Sequence, residues 1–123
     1  GEGGLDEITL SGDTVIWEVK DGDLWTWMLS LDEIGLLGRS IEDIRGGTKE
    51  ENAATMRRVF QGESGPVRDI VLVNSAAVLL VGDLVSSIGE GVARAGETID
   101  SGAALAKLDG LIDLSQRLGK DAA

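Results

Sequence analysis

Two adjacent carboxylates, Asp6 and Glu7, follow the glycine-rich stretch "GEGG" and are the residues best placed to do chemistry. In a regular strand, neighbouring side chains point to opposite faces, so the pair can serve one site only from irregular backbone. The glycines ahead of them supply that freedom. Such a pair could hold a hard divalent cation, because Mg²⁺ takes one or two carboxylates and completes its shell with waters and substrate phosphates. The dipeptide alone does not define a site: Asp32-Glu33 repeats it at the start of a helical stretch, where the helix dipole accounts for both charges. The alternative is an ordinary strand behind a flexible lead-in.

Little else in the composition competes. The chain has no histidine and no cysteine, which removes the commonest acid–base group, thiolate metal sites and disulfides. No spacing of Ser, Thr or Lys recommends a nucleophile–base pair. "GEGG" is not followed by a helix, so it lacks the strand–loop–helix setting of a dinucleotide or phosphate loop. Gly46-Gly47, ahead of Thr48, can offer backbone N–H groups to an anion or serve as a plain connecting turn; no Lys-Ser or Lys-Thr follows to grip phosphate. Eleven basic against 22 acidic residues give a net charge of −11, which repels phosphate backbones and argues against nucleic acid as a partner. No apolar run reaches the roughly 18 residues of a membrane span. Nor is there a leader of basic start and hydrophobic stretch, so no membrane association and a cytoplasmic location are expected.

The elements that must position the carboxylates can be read in turn. At 123 residues the chain has the length of one domain, and 42% hydrophobic content is ordinary for a globular fold. Residues 13–20 and 23–29 alternate as strands, and Asp21-Gly22 between them signals a tight hairpin. Trp17, Trp25 and Trp27 read as cross-strand packing in this hairpin, with a cofactor or base-stacking role as the alternative. "SLDEIGLL" and "SIEDIRGG" each offer a serine cap and acidic first turn. Thr48 and Glu51 have capping-box spacing ahead of a helix ending at Gly62, whose apolar stripe is Ala53, Met56 and Phe60, joined by Val59.

Residues 65–82 are apolar over too long a run for a strand, and Pro66 suits a first helical position. The expectation is a central helix, buried nearly all round, with Asn74 inside it tying down a neighbouring loop. Val85, Ile88, Val92, Ala95 and Ile99 mark a further helix. Leu105, Leu108, Ile112 and Leu118 mark the last, with Leu111 beside the stripe, a break at Ser101-Gly102 and a frayed "GKDAA" tail. The predicted architecture is α+β: a small antiparallel β unit of about three strands over residues 1–30, followed by four or five packed helices over 31–123, as a single domain.

The order of segments carries more than any one motif. "GLDE", "GGTKEENA", "F-QGESGPVRDIVLVNSAA" and "IDSGAAL" follow one another in a way that resembles the carboxy-terminal part of the anthranilate phosphoribosyltransferase family, from Gly4 to about Ile112. The resemblance implies part of a larger α/β domain of a glycosyltransferase in tryptophan biosynthesis, joining anthranilate to phosphoribosyl pyrophosphate. It also implies Mg²⁺ held against the pyrophosphate by the carboxylates of "GLDE", which fall on Asp6 and Glu7. The family's phosphate loop, Lys-His-Gly-Asn segment and anthranilate-contacting arginine precede this region. The chain is therefore expected to be inactive without the missing amino-terminal half, to leave an apolar face uncovered, and to be a homodimer at full length. A non-catalytic binding or scaffold module of the same fold, or a related nucleoside phosphorylase, are the alternatives.

Overall fold

A computed structural model describes residue 1 and residues 4–5, 7–36 and 38–121. Strand β1 (Thr14–Lys20) and strand β2 (Asp23–Leu29) pair antiparallel, with Lys20 opposite Asp23 across a two-residue loop. Asp21 and Gly22 both take positive φ (55° and 87°), as the favoured tight hairpin turn requires. The ladder puts Thr14, Ile16, Trp27 and Leu29 on the inner face, where Thr14 and Leu29 are buried. Val15, Trp17, Val19, Leu24, Thr26 and Met28 form the outer face, and its five large apolar side chains are all more than half exposed.

Cross-strand packing holds at Trp27, which lies opposite Ile16 and donates from Nε1 to Glu18 Oε2 at 3.1 Å. Trp17 and Trp25 lie opposite Thr26 and Glu18 and remain exposed: the register turns Trp17 to the outer face, and Trp25, on the face of Trp27, lies nearer the turn and beyond the buried cluster. The described residues contain two strands rather than about three. Ile8–Leu10 are buried yet outside any ladder: the main-chain groups of Ile8 are taken by a side chain of a helix instead.

Two short 3₁₀ turns, Asp32–Ile34 and Ile41–Ile44, replace the helical starts expected there, the second under a capping box from Ser40 and Asp43. Four helices follow: α1 (Lys49–Phe60), α2 (Pro66–Val81), α3 (Ile88–Asp100) and α4 (Ala103–Asp121). At the start of α1, Thr48 Oγ1 accepts from the Glu51 N–H (3.3 Å) and Glu51 Oε2 accepts from the Thr48 N–H (2.8 Å). That backbone bond holds the Glu51 carboxyl below the usual carboxylate range. At the start of α3, the Ser86 N–H and hydroxyl do the same for Glu90.

Helix α2 is the hub. Val73 and Ala76, fully buried, join Ile8, Leu10, Leu29, Leu31 and Ile88 under the hairpin. Leu72 joins Val59, Ala95 and Ile99 on another side. Gly91 of α3 lies so near α2 that an added Cβ would sit 2.7 Å from Ala76 Cβ. Expected burial all round α2 fails in its last turns: Val78 and Val81 are 73% and 86% exposed, since no described element packs over them.

Helix α1 seats itself mainly through Val59 and Phe60, while Met56 and Ala53 of the expected stripe are exposed. Helix α4 continues through Gly119 to Asp121, where fraying is expected from sequence; Leu111 and Leu118 are exposed. Ion pairs tie the periphery: Arg57 to Asp109 at 3.0 Å, and the nearly buried Arg68 of α2 to Asp100 of α3 at 2.8 Å.

Candidate functional site

Asp6 lies outside the described residues. Glu7 is exposed, sits in a backbone bend rather than a ribbon, and lines an open cleft of about 420 Å³ with Gly1, Ile8, Thr14, Val15, Ile16, Asn74, Ala77 and Val78. The cleft runs between the unpaired edge of β1 and the exposed flank of α2. Among the described residues no Lys or Arg lines it, and the side chains it offers a ligand are the Glu7 carboxylate, the Asn74 amide, the Thr14 hydroxyl and apolar surface.

The backbone behind Glu7 is held on every side. Asn74 Oδ1 accepts from the Ile8 N–H at 3.1 Å, and Asn74 Nδ2 donates to the Ile8 and Ile70 carbonyls at 3.1 and 3.0 Å. This meets the expectation that Asn74 ties down a loop, and identifies the loop as the one carrying Glu7. One residue on, the buried Thr9 donates its N–H to Thr14 Oγ1 (3.3 Å), and its hydroxyl shares hydrogen bonds with Ser11. The Leu10 carbonyl accepts from Arg39 N–H at 2.6 Å. The hydroxyl residues escaped notice in sequence; the clustering of Thr9, Ser11 and Thr14 in one short stretch is the signal that could have found them.

Among the described residues no group of three or more His, Cys, Asp or Glu gathers to hold a metal ion. Mg²⁺ is ordinarily bound through one or two carboxylates together with waters and substrate phosphates, and of the two sequence candidates the described residues place only Glu7.

A larger cleft, about 750 Å³, lies between the Gly46-Gly47 loop, α1 and the start of α2. Its two arginines are already engaged, Arg45 with Glu42 and Arg58 with Glu63. The Gly47 N–H donates to Asn52 Oδ1 (2.8 Å) and the Gly47 carbonyl accepts from Asn52 Nδ2, so the Gly-Gly step is a closed connecting turn and not an anion cradle. The Arg45 guanidinium holds the Glu42 carboxyl below its ordinary range.

The hairpin, the central helix α2 and the irregular acidic segment between them define a recognisable class. Residues 1–105 match the glycosyl transferase family, a/b domain, and the chain belongs to that family. Anthranilate phosphoribosyltransferase of Dehalococcoides mccartyi is 48% identical over 120 residues, covering 96% of this chain and 35% of that protein. The crystal structure of anthranilate phosphoribosyltransferase from Thermus thermophilus superposes with a TM-score of 0.80 at 38% identity, over 89% of this chain and 32% of that one. A Saccharomyces cerevisiae anthranilate phosphoribosyltransferase variant with Mg bound gives 0.80 at 29% identity, over 92% and 33%. The chain thus spans about a third of the length of these relatives and corresponds to their carboxy-terminal portion.

Proposed function

We propose that this chain is the carboxy-terminal portion of an anthranilate phosphoribosyltransferase, with Asp6 and Glu7 holding Mg²⁺ on the pyrophosphate of phosphoribosyl pyrophosphate. The single observation that carries the reading is Glu7: a carboxylate on irregular, anchored backbone at the mouth of an open cleft. Relatives with 44–48% identity share the name of that activity. A bound Mg²⁺ would neutralise the charge that builds on pyrophosphate as it leaves the anomeric carbon for the anthranilate amine.

This chain's own residues do the rest of what is assigned to it. Glu7 and Asp6 orient the charged end of the donor, and the apolar wall of Ile8, Ala77 and Val78 restricts water on one side of the cleft. With no Lys or Arg among the described residues that line the cleft, this portion offers no side-chain phosphate grip there, and alone it is expected to be inactive. The grip and the anthranilate pocket belong to the remaining two-thirds of the enzyme.

In this reading residues 1–123 are one domain-sized portion, β unit to residue 30 and helices beyond. It lies within a larger phosphoribosyltransferase domain of a cytoplasmic, tryptophan-pathway enzyme that is a homodimer at full length. The exposed apolar rows on the outer hairpin face and on Val78 and Val81 support a larger assembly, since such surfaces are ordinarily covered. The test is a Mg²⁺ titration of turnover in the full-length enzyme carrying Asp6→Asn or Glu7→Gln. Turnover at limiting Mg²⁺ is expected to fall about tenfold or more. An unchanged titration curve in both variants removes the pair from the site.

A further inference from the structure

We infer that Asn74 is a positioning residue for the metal-binding Glu7 carboxylate, fixing from α2 the backbone from which it projects; the inference rests on the reading of Asp6 and Glu7 given above. Three observations carry it. First, Asn74 meets both main-chain groups of Ile8, the residue joined to Glu7, and so does for this segment what a neighbouring strand would do. Second, its amide is itself anchored: Nδ2 also donates to the Ile70 carbonyl one helical turn back, which fixes the side chain against α2. Third, Asn74 and Glu7 line the same cleft, so the clamp stands at the site rather than behind it.

Only an amide can make this set of bonds. The Ile8 N–H needs an acceptor and two carbonyls need donors, on one short planar group. Aspartate retains the first bond and loses the other two; alanine loses all three. Because the Ile8 side chain is buried with Val73 and Ala76 on either side of Asn74, side-chain packing locates the segment and the amide sets its rotation. Rotation is what decides where the Glu7 carboxylate points. The segment is thus rigid on the carboxy-terminal side of the acids and glycine-rich on the other, so ligand geometry is set from residue 8 onward.

The experiment compares Asn74→Ala, Asn74→Asp and Glu7→Gln in the full-length enzyme by three readouts: Ile8 amide hydrogen exchange, calorimetric titration of MgCl₂ in the presence of inorganic pyrophosphate, and the Mg²⁺ dependence of turnover. Asn74→Ala, which removes the acceptor of the Ile8 N–H, is expected to speed Ile8 exchange by about tenfold or more while Val73 and Ala76 amides keep their protection; Asn74→Asp keeps that acceptor and should speed it less. Mg²⁺ affinity and the half-activating Mg²⁺ concentration should move by about 10- to 100-fold, the usual effect of losing an outer-shell support, with kcat at saturating Mg²⁺ largely retained. Should Asn74→Ala fail to fold, the near-isosteric Asn74→Asp is read by its Mg²⁺ affinity, since it loses the two carbonyl bonds and keeps the Ile8 N–H bond. Faster Ile8 exchange with unchanged Mg²⁺ affinity, in an enzyme where Glu7→Gln does shift it, overturns the positioning role and leaves the metal reading standing. No shift in Glu7→Gln overturns the metal reading and this inference with it.

Discussion

Replacing Gly91 by alanine should push α2 and α3 apart. A Cβ at position 91 would lie 2.7 Å from Ala76 Cβ, 2.8 Å from Ala76 Cα and 3.0 Å from its carbonyl oxygen. Carbon atoms rest about 3.5–4.0 Å apart, so the two helices must separate by most of an ångström along their tightest contact. Two of the three obstructing atoms are backbone and cannot rotate away. Overpacking of this kind costs about 1–3 kcal/mol, and replacing a helical glycine returns about 1 kcal/mol of propensity. With backbone in the way, a net loss of ~2 kcal/mol is expected. For a urea m-value of about 2 kcal/mol/M, the midpoint should fall by about 1 M. Gly110→Ala in α4, where an added Cβ meets nothing within 4 Å, is the matched control and should gain ~1 kcal/mol. Urea unfolding followed by circular dichroism measures both. If Gly91→Ala proves as stable as the parent, the close approach of α2 and α3 is not a constraint, and the packing account of the hub is wrong.

Three further outcomes are expected. Thr48→Ala removes one half of the capping box of α1 and should cost ~1 kcal/mol by the same urea assay, with Thr48→Ser close to neutral. Leu10→Ala empties a site that is 1% exposed and should cost about 2–5 kcal/mol, seen as a fall in thermal midpoint; a shift no larger than that of a surface variant would mean the segment is not packed as described. The Glu51 and Glu90 carboxyls are held below their ordinary value of 4.5 by backbone N–H groups of Thr48 and Ser86. Their contribution is therefore present above that value and lost as pH falls through the lower folded value. The Thr48 and Ser86 amide resonances should titrate below pH 4.5, and a midpoint above it would contradict the caps.

Local signals were legible wherever the chemistry is short-range. Asp21-Gly22 placed the hairpin, Thr48 and Glu51 the start of α1, and Pro66 the start of α2, because each is decided by backbone geometry within a few residues. Asn74 was legible by a different logic: an amide inside an apolar helix must find partners, and it found them on Ile8. What stayed hidden was which apolar faces have something opposite them. Periodicity shows that Met56, Val78 and Leu118 belong to stripes, yet only packing over them decides burial, and none of the three is covered by a described element. Strand register, not residue type, separates Trp27 from Trp17, whereas Trp25 shares the face of Trp27 and stays exposed because it lies beyond the cluster under the hairpin. Of the candidate site, the carboxylates were read from their neighbours in sequence. The hydroxyl cluster of Thr9, Ser11 and Thr14 is local but follows no helix or strand period, and the bond from Arg39 to Leu10 joins separate loops that no sequence pattern pairs.

All three tryptophans ride on the hairpin, none on a helix, and the chain has no tyrosine. Ultraviolet emission is therefore a private gauge of the ribbon, dominated in its shifts by Trp27, whose ring is part-shielded and whose indole is tethered to Glu18. Ellipticity at 222 nm, about the helical band, reports the other end of the molecule. Superimposable melting curves from the two optical channels would show ribbon and helices coming undone as one cooperative body. A fluorescence change that runs ahead would show the hairpin peeling from α2 first, exposing the acidic cleft before the bundle gives way.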